Sequence, residues 1–179
     1  MEHALKTIST TGIAEALAKA QLYRSLREPE ESESICQDIL IADPENQAAL
    51  RLLGLSITDQ FTGEVSDRYA EVEDIFRRLV DPYAQHYYLG ILSERRAKAQ
   101  MHVARPSYVV VALIEEALRR FAEAEKIRPA GNEEAILRWN RCVRLLQKLP
   151  QSEPVEATSG FHDDDLPAVL LPRSASNRR

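Results

Sequence analysis

The chain has 179 residues, 44% of them hydrophobic, with 28 acidic and 23 basic side chains and a formal net charge of −5. That length makes one domain, or one domain with a tail, and it is long enough to bury a core of its own. The acidic balance argues against a nucleic-acid binder, which carries a basic excess, and six glycines amid abundant Leu, Ala, Glu and Arg favour helices.

Residues 1–11 form an N-terminal segment. Thr10 or Thr11 is placed to cap a helix that starts near Gly12, with Ile13, Leu17, Ala20 and Leu22-Tyr23 as its apolar stripe. Glu28-Pro29-Glu30-Glu31 ends that helix and opens a second, because a first turn tolerates proline and favours acids. Ile35, Cys36, Ile39 and Leu40 carry the second helix to Asp43-Pro44. A third runs from Pro44 to about Gln60 and holds an apolar-apolar-glycine step at Leu50, Leu53 and Gly54. Thr62-Gly63 is a turn. A fourth helix follows with Val65, Tyr69, Val72, Ile75, Phe76 and Leu79, and stops at Asp81-Pro82.

The fifth helix begins near Tyr83, and Leu89-Gly90 repeats the step at Leu53-Gly54. Ala104-Arg105-Pro106-Ser107 marks the next turn. Val109-Val110-Val111 prefers a strand, but no second strand-like run exists to pair with it, so it belongs to the sixth helix. Further on, Ala117, Phe121 and Ala124 lie at i, i+4 and i+7, one stripe of that helix. Pro129 stands where the helix can no longer continue. Gly131-Asn132 leads into a seventh helix over Glu133 to Leu149, with Ile136, Trp139, Cys142-Val143 and Leu146 on its apolar face. From Pro150 the chain is rich in Pro, Ser and Asp without a helical period, so 150–179 is expected to be a disordered tail. One island interrupts it at 161–171. There Phe161, Asp163, Asp164, Asp165 and Leu166 place acids beside bulky apolar groups, as a short linear motif does.

The Ala117-Phe121-Ala124 stripe ahead of Pro129 resembles the second helix of a tetratricopeptide repeat. Asp43-Pro44-Glu45-Asn46, followed by Ala48, Ala49 and Leu50, looks like a repeat junction of the same family. Ser32, Cys36 and Ile39 hold the stripe positions before Pro44, and Tyr23 sits where the repeat's first helix carries its aromatic. Leu53-Gly54 and Leu89-Gly90 look like the step at which a missing side chain lets helices cross closely. The resemblance covers roughly Gly12 to Leu149. Two departures stand out. Pro44 and Pro82 are slightly further apart than the usual repeat of about 34 residues. The span from Gly90 to Ala117 is more than twice the family's spacing, which lengthens each helix of the third hairpin by roughly two turns. The implied fold is all-α: a right-handed superhelical stack of three antiparallel helix hairpins over 12–149, TPR-like, with the third hairpin elongated and a C-terminal closing helix.

Members of this family bind a peptide or a partner's helix in a concave groove lined by their first helices, here 12–27, 45–60, 83–103 and 132–149. Helical phase opposite the packing stripe makes Gln21, Arg24, Arg51, Leu55, Thr58, Tyr87, Ile91 and Asn140 the groove candidates. Leu17 and Gln21 replace the Lys and Asn with which some members clamp a terminal carboxylate, so that clamp is not expected. Arg24 and Arg51 can pair with an acidic peptide. A second interface is expected at the protruding tip, where Met101, Val103, Tyr108, Val109 and Val111 are too many to bury between two helices. The tail motif is a further candidate, with Asp163 to Asp165 facing Arg24 and Arg51 in the protein's own groove.

No Gly-rich phosphate loop, nucleophile elbow or HExxH pair is present, so no catalysis and no cofactor are expected. His3, His86, His102 and His162 are scattered. Neighbouring carboxylates in a tail do not supply an ordered ligand shell, so no metal is expected at His162 and Asp163 to Asp165. Cys36 and Cys142 stand at neither metal nor redox-motif spacing and read as small buried hydrophobes. They fit a reducing compartment. Met1 to Thr11 holds no apolar run, which predicts no signal peptide, and the longest run, Tyr108 to Ile114, is too short for a bilayer. The expectation is a cytoplasmic, non-catalytic adaptor or scaffold, monomer or homodimer, bound to another protein and to neither nucleic acid nor membrane. A dedicated secretion or assembly chaperone and a regulatory subunit of an enzyme stay open as alternatives.

Overall fold

The computed structural model describes residues 3–64 and 66–149. Val65 and the whole of 150–179, including Phe161, Asp163, Asp164, Asp165 and Leu166, lie outside the described residues. A 3₁₀ turn (Thr10–Gly12) leads into α1 (Ile13–Ser25), α2 (Pro29–Ala42), α3 (Gln47–Asp59), α4 (Tyr69–Arg77), α5 (Pro82–His102), α6 (Ser107–Lys126) and α7 (Glu134–Leu146). Among the described residues there is no strand, and the fold is all-α.

The helix starts follow from local chemistry. Pro29 opens α2, with Glu30 and Glu31 in its first turn. The Asn46 side chain accepts from the Ala49 N–H at 3.0 Å ahead of α3, and Asp81 accepts from Tyr83 N–H at 3.1 Å ahead of α5, where Pro82 is the first residue. Such caps satisfy amide groups that the helix itself leaves unpaired. Neither Thr10 nor Thr11 does this for α1. Both sit inside the 3₁₀ turn, and Thr11 Oγ1 pairs with Ser9 Oγ at 2.9 Å instead. The valine run at 109–111 is helical within α6.

Each helix packs on the next, and the odd-numbered helices also touch in turn: α1 with α3, α3 with α5, α5 with α7. The even helices contribute apolar or small residues at i, i+4 and i+7. Ser32, Cys36 and Ile39 in α2, Val72 and Phe76 in α4 with Leu79 just beyond it, and Ala117, Phe121 and Ala124 in α6 are all buried. Opposite two of these stripes stands a glycine. A Cβ on Gly54 would lie 2.3 Å from Cε1 of Phe76, and one on Gly90 would lie 2.6 Å from Cε1 of Phe121. The glycines therefore let each ring lie against a helix backbone, and full burial of each ring contributes about 1.5–3 kcal/mol. In the first hairpin Ala20 of α1 and Cys36 of α2 are both fully buried in one cluster.

The fourth helix is shorter than the sequence predicts. It begins at Tyr69 because the preceding loop is tied by one carboxylate. Asp67 accepts from the Thr62 N–H at 2.9 Å, the Gly63 N–H at 2.7 Å and the hydroxyls of Thr62 and Tyr69. This loop lies on the extended part of α5, where Gln100 Nε2 donates to Gly63 O at 3.0 Å. The long α5–α6 hairpin is thus backed on one side by its own chain, with Ala97, Ala99, Val110 and Ile114 buried.

Candidate functional site

The candidate site is a cleft of about 850 Å³ between α1, α3 and α5. Its apolar floor is Ala48, Leu52 and Leu55 of α3 with Tyr88 of α5. Around that floor stand Gln21 and Arg24 of α1, Arg27 in the α1–α2 turn, and Arg51 of α3. One carboxylate, Asp59, lines the same cleft. Asp59 is already engaged: Arg24 Nε donates to its Oδ2 at 2.6 Å, and Arg95 Nη1 pairs with its Oδ1. Arg51 and Arg27 make no ion pair among the described residues. On a chain with a net charge of −5, the cleft is a local cationic surface.

Arg95 is held on several sides. Its Nη1 donates to Leu55 O at 3.1 Å and to Thr58 Oγ1 at 2.6 Å. Burial pulls its guanidinium below the ordinary value, and Asp59 acts in the opposite direction. Burial pushes the Tyr88 hydroxyl up, while Arg51 and Arg24 favour its ionised form. A buried carboxylate lies between α5 and α7: Glu94, fully buried, pairs with Lys98 and accepts from Arg138 Nη1 at 3.3 Å.

Four of the eight groove residues expected from the sequence, Gln21, Arg24, Arg51 and Leu55, line this cleft together. Thr58 is buried and occupied by Arg95 and Leu55 O. Tyr87 and Ile91 hold the same places relative to Gly90 that Arg51 and Leu55 hold relative to Gly54. They are nonetheless buried, in one cluster with Phe121 and with Ala135, Cys142 and Leu145 of α7. Tyr87 stacks on Tyr83 at 5.8 Å between ring centroids. Asn140 is exposed on α7, away from the cleft lining. Sequence reasoning missed Arg27, Asp59, Tyr88 and Arg95. Tyr88 was legible as the neighbour of Tyr87; Arg27, in a turn with φ of 66°, had no helical phase to be read from.

At the hairpin tip Tyr108 is 74% exposed, Met101 and Val103 are exposed, and Val109 and Val111 are half-buried. Tyr108 and Val109 border a shallow groove with Arg96, Gln100, Ala112 and Leu113. Among the described residues no group of three or more His, Cys, Asp or Glu side chains could hold a metal ion, and no helix is long and apolar enough to cross a membrane. No protein-family model, curated protein or solved structure matches the chain.

Proposed function

We propose that the protein is a non-catalytic interaction module, a TPR-like stack that takes an acidic peptide or partner helix in the cleft between α1, α3 and α5. The observation that carries this is the pairing of an apolar floor with guanidinium groups that outnumber the one carboxylate. Apolar burial supplies affinity there, and the guanidinium forks select carboxylate-bearing segments. Support for the repeat reading comes from the two glycine–phenylalanine contacts, the three buried stripes before Pro44, Pro82 and Pro129, and the contacts among odd-numbered helices. The two free, buried thiols suit a reducing cytoplasm.

A displayed library of acidic and neutral peptides tests the reading. Acidic, apolar-flanked peptides should be selected at micromolar affinity, on the order of −8 kcal/mol. Arg51→Glu should weaken them at least tenfold with little change in melting temperature, because Arg51 is exposed. Selection of no peptide, or an affinity that Arg51→Glu leaves untouched, would sink the proposal.

A further inference from the structure

The described chain ends at Leu149, just past α7, and α7 packs on α5, whose Tyr88 belongs to the floor of the cleft. The 11 residues from Pro150 to Gly160 separate that point from Phe161-His162-Asp163-Asp164-Asp165-Leu166. At about 3.4 Å per residue they reach roughly 35 Å. Successive packed helices stand about 8–10 Å apart, so α7, α5 and α3 place the cleft about 20 Å away across the stack. The segment can reach it.

Its chemistry matches what the cleft lacks. Arg27 and Arg51 have no carboxylate partner among the described residues, and Arg24 shares Asp59 with Arg95. Asp163, Asp164 and Asp165 bring three adjacent carboxylates, bracketed by Phe161 and Leu166 as apolar groups for the floor of Ala48, Leu52 and Leu55. The basic residues further on, Arg173, Arg178 and Arg179, would be repelled by the same cleft, which sets the register.

We propose that residues 161–166 dock in the cleft of their own chain and act as a tethered competitor that an external acidic partner must displace. This rests on the groove reading and adds regulation to it. A segment tethered this closely is presented at a millimolar effective concentration, so it occupies a site of even 0.1 mM intrinsic affinity about nine-tenths of the time. Charge pairing at exposed guanidinium groups also makes the docking weaker as salt rises.

The test uses full-length protein, with and without Asp163→Asn, Asp164→Asn and Asp165→Asn together. The probe is a fluorescent synthetic peptide of residues 157–171, read by anisotropy at low salt. The neutralised protein should bind the probe about tenfold tighter than the unmodified one, at every protein concentration. Adding Arg51→Glu to the neutralised protein should remove the gain while the melting temperature stays put. Equal affinity for both proteins overturns the tethered competitor and leaves the groove reading standing. A competition that grows with protein concentration overturns docking within one chain and assigns the segment to a second copy. Failure of the probe to bind the neutralised protein overturns the docking altogether, and the peptide library then decides the groove by itself.

Discussion

Gly54 and Gly90 are the positions where a single atom changes the packing. An alanine in mid-helix would gain about 1 kcal/mol of intrinsic propensity over glycine. Here the added Cβ meets a fully buried ring at 2.3 Å from Phe76 or 2.6 Å from Phe121, and overpacking typically costs 1–3 kcal/mol or more. Gly54→Ala and Gly90→Ala should therefore each lower the unfolding free energy by about 1–2 kcal/mol in urea melts. Gly90→Ala with Phe121→Leu should recover much of the loss; a Gly90→Ala protein more stable than its parent would refute the contact. The cysteines report packing from the same places. Burial, helped by Glu33 at Cys36 and by Glu94 at Cys142, pushes both thiols up to about 12. Neither should react with a disulfide reagent at pH 8 in the native protein, and both should react once denaturant is added. Fast labelling of either in the native state would contradict its place in the core.

Among the elements, the loop before α4 has the most to lose with pH. Burial pushes the Asp67 carboxyl up, but hydrogen bonds from Thr62, Tyr69 and Gly63 outweigh it and hold the group below its ordinary value. A carboxylate with a lowered folded pKa stabilises fully above its unfolded value near 4, and that contribution fades as pH falls through the folded value. Asp67→Asn should cost about 1 kcal/mol at pH 7, and the gap to the parent should shrink below about pH 4. Chemical melts at both pH values measure it; a gap independent of pH would mean that Asp67 does not anchor the loop as its ionised form. The same loop explains why the α5–α6 hairpin is longer than its neighbours yet only partly open. One side packs on Gly63 and Tyr69 through Gln100, and the exposed apolar groups gather around Tyr108.

For the whole molecule, Asp59 joins three helices that are distant in the chain. It binds Arg24 of α1 and Arg95 of α5 from its own place at the end of α3. Asp59→Asn leaves two guanidinium groups without their counter-ion, one of them poorly exposed. The melting temperature should fall, with a loss of about 1–3 kcal/mol after allowing for solvent screening. Acidic peptides should at the same time bind several-fold tighter, because the cleft loses its one carboxylate. A variant that loses stability and peptide affinity together would make Asp59 an organiser of the cleft rather than a competitor within it.

The sequence by itself determined the helices and the places where they stop. Pro29, Pro44, Pro82 and Pro129 and the period of the buried stripes act within a turn or two, so they are legible without a fold. It also marked Leu53-Gly54 and Leu89-Gly90 as steps where helices can cross closely; which ring fills each gap is a contact of the folded chain. What only the tertiary structure decided is which equivalent positions stay open. Arg51 and Tyr87 stand three residues before Gly54 and Gly90, yet α7 draws Tyr87 into the core and leaves Arg51 at the cleft. The later start of the fourth helix is by contrast local: Asp67 ties Thr62 and Gly63, a side-chain bond that helical periodicity does not read. The cationic balance of the cleft depends on Arg24, Asp59 and Arg95 meeting across some 35 residues of chain at each step. Periodicity speaks for one helix at a time; the covering of one helix by another, and the charges left facing each other, depend on contacts that no local pattern encodes.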